Sequence, residues 1–231
     1  MNTQIKMKIA QILLLCALNV IIGVPVNAAE SKRVIIIDTM PVPVVLEHRR
    51  WFVTYLNKLG YIEGESLDLK VIQANGDVKL AETLLIKTIN QNKPDLVVTN
   101  ATLASKAAVK VLKDTKVPIL FFTVSDPVGA GLIKEIGIPT GTNVTGRVHM
   151  IDRTLIVNMV MRLIGPAVKQ RPIRMGYIHS TYPSALGDIR ELKAIAEKNP
   201  DIEFISYQLP YLKVSEGLPE MLEDTRKGIE A

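Results

Sequence analysis

Three short stretches of the chain gather side chains suited to holding a small polar molecule. In "FFTVSDPVGAGLI", residues 121–133, four β-forming residues run straight into Asp126, Pro127, Gly129 and Gly131. A carboxylate on a loop stiffened by proline and loosened by glycine can accept hydrogen bonds from an ammonium group. The second stretch, "TNATLAS" at 99–105, places Asn100, Thr102 and Ser105 where a strand pattern gives way to a helical one. Free backbone N–H groups at a helix start, with hydroxyls beside them, favour an anion such as a carboxylate. The third, "IHSTYPSA" at 178–185, offers Ser180, Tyr182 and Ser184 just ahead of another helix, and "DTMPVP" at 38–43 adds Thr39 and Met40. Plainer readings stay open beside these. Thr102 and Ser184 serve equally well as helix N-caps, and Ser125-Asp126-Pro127 as an Asx-type turn that only ends a strand.

Other chemistries lack their residues. His48, His149 and His179 have no acid or second histidine at metal-ligand spacing, so no metal site is expected. No G-x-G-x-x-G follows the first strand, and there is no Walker loop and no G-x-S-x-G elbow, which removes the usual signatures of dinucleotide, nucleoside-triphosphate and hydrolase sites. Aromatic residues make up only 5%, and the basic residues are dispersed, which argues against nucleic acid as a partner. Trp51 and Tyr55, one turn apart, read as packing or surface residues. No enzyme chemistry and no cofactor is expected.

The elements that must position these residues alternate along the chain. "KRVIIID" is a continuous apolar run ending at Asp38, as for a strand buried on both faces. A helix over 44–59 follows, then the strand "LDLKVIQ". Next comes a helix N-capped by Asp77, with Leu80, Leu84 and Thr88 on one face. "PDLVVTN" is a third strand, a helix from Thr102 carries Leu103, Ala107 and Val111, and "VPILFFTV" is a fourth strand. Such alternation predicts a parallel sheet covered by helices on both sides. Residues 137–150 interrupt it with three glycines and a proline. The pattern then resumes with a helix over 152–164 aligning Leu155, Met159 and Leu163. The strand "IRMGYIH", a helix over 184–198, the strand "IEFISYQ" and a helix over 216–229 complete the chain. In open parallel sheets ligands bind beyond the carboxyl ends of the strands, where all three polar stretches fall.

The first residues carry Lys6 and Lys8, an apolar run, and "VNA" before Ala29 and Glu30. This is the form of a secretory signal peptide, residues 1–28, cut after Ala28; the alternative is an uncleaved anchor. Cys16 sits within the run behind three leucines, unlike a lipid-attachment cysteine. Cleavage removes the only cysteine and two lysines. That excludes disulfides and thiol chemistry and takes the formal charge from +5 to +3. A disulfide-free exported chain suits a bacterial periplasm.

Five stretches together resemble a known family: "GYIEG" at 60–64, "KPDLVVTNATLASKAA" at 93–108, "VPILFFTVSDPVGAGLI" at 117–133, "PTGTNVTG" at 139–146 and "MGYIHSTYPSALGDIRELK" at 175–193. They are similar to the periplasmic solute-binding proteins of ATP-binding-cassette (ABC) transporters, in the group that includes aromatic amino-acid receptors. The resemblance implies a type I periplasmic binding fold in the α/β class, with two lobes of parallel sheet flanked by helices and a small solute held between them. It implies an N-terminal lobe over 29–146, a second over 147–231, a hinge near 137–150, and a membrane permease as partner. Carried over residue by residue, it assigns solute contacts to Thr39, Met40, Asn100, Thr102, Asp126, Ser180, Tyr182 and Ser184. Family members often have an asparagine near Ser180, which this sequence lacks. They also continue beyond the equivalent of Ala231, so the second lobe is expected to be incomplete and the chain truncated. Two other roles remain open on the same fold: a sensor for a membrane signalling partner, and a remnant with impaired binding.

Overall fold

A computed structural model describes residues 31–209, 223 and 225–229. The signal segment, its cleavage site and most of the helix expected over 216–229 lie outside the described residues; residues 223 and 225–229 are helical. Strand β1 (Lys32–Asp38) is followed by α1 (Pro43–Lys58), β2 (Leu67–Gln73), α2 (Val78–Gln91), β3 (Leu96–Asn100), α3 (Thr102–Leu112), β4 (Ile119–Val124) and β5 (Val144–Val148). These five strands form one parallel sheet in the order β2-β1-β3-β4-β5. After it come α4 (Arg153–Ile164), a single 3₁₀ turn, β6 (Ile173–Ser180), α5 (Pro183–Ala196) and β7 (Ile202–Leu209), with β6 and β7 paired in parallel as a second sheet.

Alternation along β1 shows why its run is unbroken. Ile35 and Ile37 point into a core shared with Ala81, Leu85, Ala104, Ala107 and Phe121 under α2 and α3. Val34 and Ile36 point the other way, with Leu67 and Val98, against Phe52 and Leu56 of α1. A central strand covered on both faces needs apolar residues at every position.

Three expectations are corrected. The segment 137–150, expected to interrupt the pattern, contains β5, whose burial is confined mainly to Val144. It is a polar edge strand, so the apolar signal of a buried strand is missing. Its Gly146 lies against Phe121 of β4, where a β-carbon would overlap the ring. On α2 the buried stripe is Ala81, Leu85 and Thr88, one residue on from Leu80 and Leu84. On α4 the residues facing inward are Arg153 and Val157, while Leu155, Met159 and Leu163 are 64%, 56% and 72% exposed. Both stripes have helical spacing, and spacing alone does not say which one meets the sheet.

Candidate functional site

Register brings the strand exits to one level. Asp38 stands opposite both Gln73 and Asn100, and Asn100 opposite Phe122. Asp38 is fully buried, a position a lone carboxylate cannot hold without losing several kcal/mol to desolvation. Its Oδ1 accepts from Asn100 Nδ2 at 2.7 Å, and its Oδ2 from Gln73 Nε2 at 3.0 Å and from the Arg49 guanidinium at 2.5 Å. This network pins the Asn100 side chain and leaves its Oδ1 buried with no hydrogen-bond partner in the protein. Thr39, also fully buried, donates its hydroxyl to the Asn100 carbonyl at 2.8 Å and accepts from Ala104 N–H at 3.0 Å.

Immediately beyond β3 the chain makes an unusual turn. Ala101 occupies the N-cap of α3 at φ +70°, a region that non-glycine residues rarely enter and that is typical of strained functional turns. An alanine has no side-chain oxygen with which to cap a helix, and Thr102 is the first helical residue, so it does not cap α3 either. Of the first amides of α3, that of Ala104 is met from another strand exit, by the Thr39 hydroxyl. Tyr182, in the loop entering α5, brings its phenol near the start of α3, beside donor groups of Leu103, Thr102 and Thr39. Burial raises the Tyr182 pKa above its ordinary 10.0, partly opposed by these donors, so at neutral pH the group is a neutral phenol.

A second contact links the same two regions. Asp126 Oδ1 accepts from Gly129 N–H at 2.7 Å, the turn foreseen in the plainer reading. Its Oδ2 pairs with the Arg190 guanidinium of α5 at 2.9 Å. Gly129 and Gly187 both lie against this carboxylate, and a β-carbon at either would overlap it. Gly187, inside α5, is therefore what lets that helix approach the Asp126 loop. Arg190 had no local signal in the sequence, since an exposed helical arginine is the commonest kind.

The structure thus brings Thr39, Asn100, Thr102 and Tyr182 into one cluster and gives Asp126 a partner of its own. Ser180 Oγ accepts from Tyr182 N–H at 3.2 Å, fixing the loop backbone. Ser184 does not cap α5, whose N-cap is Tyr182 with no side-chain bond. It lies half-buried in the first turn of that helix, and Met40 is half-buried beside Thr39.

A cavity of about 500 Å³ lies on the α1 side of the β4 and β5 exits, lined by His48, Trp51, Phe52, Phe122, Thr123 and His149 among others. Thr123 adopts φ +57° and its hydroxyl is hydrogen-bonded to His48 Nδ1. Burial, followed by the nearby His149 and Arg147, holds the His48 pKa below its ordinary 6.5. Among the described residues no three His, Cys, Asp or Glu side chains gather as a metal site, and no helix is long and apolar enough to cross a membrane.

Comparisons with known proteins extend this geometry. A family model described as "ABC transporter substrate binding protein" matches residues 33–213. A protein of Clostridioides difficile described as a tyrosine-binding protein is 27% identical over 157 residues, which is 67% of this chain and 42% of that protein. The crystal structure of a conserved domain protein from Vibrio cholerae superposes with a TM-score of 0.68 at 27% identity, over 78% of this chain and 58% of that one. A type 1 periplasmic binding protein from Bordetella pertussis superposes with a TM-score of 0.61 at 14% identity, over 87% of this chain and 54% of that one, and bears on the fold alone. The chain therefore spans roughly half the length of the relatives it matches.

Proposed function

This chain belongs to the ABC transporter substrate-binding protein family and has the type I periplasmic binding fold, and from that premise we propose that it is an exported receptor for an amino acid. The solute is held between the two lobes, in contact with Thr39, Asn100, Thr102, Asp126 and Tyr182, and passed to a membrane permease from the periplasm. Lobes over 29–146 and 147–231 move about a hinge near 137–150, and the ordered β5 favours its short exit, 149–152. Closure follows because each lobe supplies hydrogen bonds that are complete only when the lobes meet.

The observation that carries this reading is the start of α3. Ala101 gives this helix N-terminus no side-chain cap, and its turn at φ +70° sets the first amides of α3, at Thr102 and Leu103, beside the exits of β1 and β3. Amides so arranged stabilise a carboxylate, by roughly 0.3–2 kcal/mol from the helix dipole, and charge-assisted bonds are about twice as strong as neutral ones. Asp126 provides the matching acceptor for an ammonium. Each carboxylate oxygen takes more than one hydrogen bond, so its contacts with Gly129 and Arg190 leave capacity. The tyrosine bound by the similar Clostridioides difficile protein has both groups.

Calorimetric titration of the chain from residue 29 with tyrosine, other amino acids and tyramine tests this. Tyrosine or a related amino acid is expected to bind, and tyramine, lacking the carboxylate, at least about tenfold more weakly. Asp126→Ala should lose affinity for the same hit. Equal binding of tyrosine and tyramine, or an Asp126→Ala protein that binds as well as its parent, would remove the basis of the assignment.

A further inference from the structure

The cavity between α1 and the β4 and β5 exits takes no part in the solute site proposed above, and its lining has a chemistry of its own. Phe52 of α1 and Phe122 of β4, with ring centroids 5.8 Å apart, give it an apolar floor. Trp51 and Tyr55 of α1 stand at its mouth, both exposed. The Arg50 guanidinium, bonded to Glu47, lies 4.9 Å from the centroid of the Trp51 ring and covers one of its faces. The polar groups are Arg147 of β5, His149 directly after that strand, His48 of α1 and Thr123 of β4. β4 carries an extra residue between Phe121 and Val124, and within that bulge Thr123 sits at φ +57°, where a β-branched residue is a genuine outlier. The turn brings its hydroxyl to His48 Nδ1, and that bond holds the imidazole edge-to-face with His149 at 6.0 Å between centroids. Strain of this kind collects at ligand clamps. No carboxylate lines the cavity, and among the described residues Arg147 has no ion-pair partner. His48, its pKa held below 6.5 by burial, is neutral at pH 7, so Arg147 supplies a standing positive charge beside hydrogen-bonding imidazoles.

We infer that this cavity is a second binding site, for a planar aromatic acid that carries no amino group. Its volume of about 500 Å³ falls within the roughly 300–1,000 Å³ of small-molecule sites. The ring packs on Phe52, Phe122 and Trp51. The acid group meets the Arg147 guanidinium, which can bind a carboxylate through two parallel charge-assisted bonds, with His48 and His149 beside it. The same lining turns away a free amino acid: its ammonium would lie near Arg147 with no carboxylate of the cavity to receive it. The two sites thus divide their ligands by charge. Asp126 serves an ammonium in one, and the other has no acid at all. The second site does not depend on the function proposed above.

Trp51 is the only tryptophan of the chain, so its fluorescence reports on this cavity. Adding 4-hydroxyphenylacetate to the chain from residue 29, with no amino acid present, is expected to change that emission saturably. The neutral analogue 4-hydroxyphenylethanol has the same ring without the charge that Arg147 pairs with, and is expected to bind at least about tenfold more weakly. Arg147→Gln, at an exposed position, should weaken binding of the acid by about tenfold or more and leave Tm unchanged. Excess tyrosine should not displace the acid. The second site is overturned by an emission that does not saturate, by equal binding of acid and alcohol, or by an Arg147→Gln protein that binds the acid as well as its parent. Displacement of the acid by tyrosine overturns it as well, because one cavity would then serve both.

Discussion

In the first lobe, Ile35 and Ile37 on one face of β1 and Val34 and Ile36 on the other are all closed off from water between helices. In the second, β6 and β7 share a small cluster around Val157, Leu192 and Ile202, while Leu155, Met159 and Leu163 face outward from α4. The first lobe is a self-sufficient platform: strand exits in register, a pinned Asp38 and a strained turn at Ala101 held by packing on both sides. Among the described residues the second buries less of its own apolar surface, and it is tied to the first through the Arg190–Asp126 pair. Local stability follows buried apolar contact, so the part that moves in binding should be the second lobe and the part that stays fixed the first.

Mutations can break this contrast. Phe121→Ala, in the middle of the first core, should cost about 3–5 kcal/mol, because it empties a large, fully enclosed site beneath Gly146. Chemical denaturation measures this directly, and a cost below about 1 kcal/mol would mean that the first sheet is no firmer than the second. Gly187→Ala addresses the contact between lobes. In an ordinary helix this change stabilises by up to about 1 kcal/mol. Here the new methyl meets the Asp126 carboxylate, so a net loss of about 1–3 kcal/mol is expected from overpacking. In an Asp126→Gly background the loss should vanish, which separates the clash from any defect of the helix itself.

A smaller effect is expected from pH. Because the folded His48 pKa lies below 6.5, the unfolded chain takes up the proton first as the solution is acidified. Stability contributed by neutral His48 is therefore intact above about 6.5 and is lost as pH falls through the lowered value. His48→Gln should flatten that part of the stability profile, and an unchanged profile would place the titrating group elsewhere. Smallest of all, Leu155→Lys on the exposed stripe of α4 should change stability by less than about 0.5 kcal/mol, provided that this face is free in solution. A large loss would show it to be covered.

The same contrast explains what could be read from the sequence. β1 and β3 were legible because nearly all of their side chains are buried and their runs are correspondingly apolar, and the Asp77 cap of α2 is seen in its bonds to the amides of Lys79 and Leu80. β5 was not legible, since an edge strand that contacts the core mainly through Val144 carries a weak pattern. The α4 face was misassigned because two apolar stripes compete on one helix and the choice is made by tertiary contact. At the site, the residues that end strands could be found from their types: Thr39, Asn100, Thr102 and Asp126. Their partners could not. Arg49, Gln73 and Arg190 are ordinary surface-type residues in sequence, and only register and the approach permitted by Gly187 bring them to a carboxylate.

A crystal structure of the chain with bound tyrosine would test the central claim most directly. The solute carboxylate is expected within hydrogen-bond distance of the Thr102 and Leu103 amides, with Asp126 facing the ammonium group. A solute lodged instead in the cavity beside His48 and Trp51, away from α3 and Asp126, would contradict this.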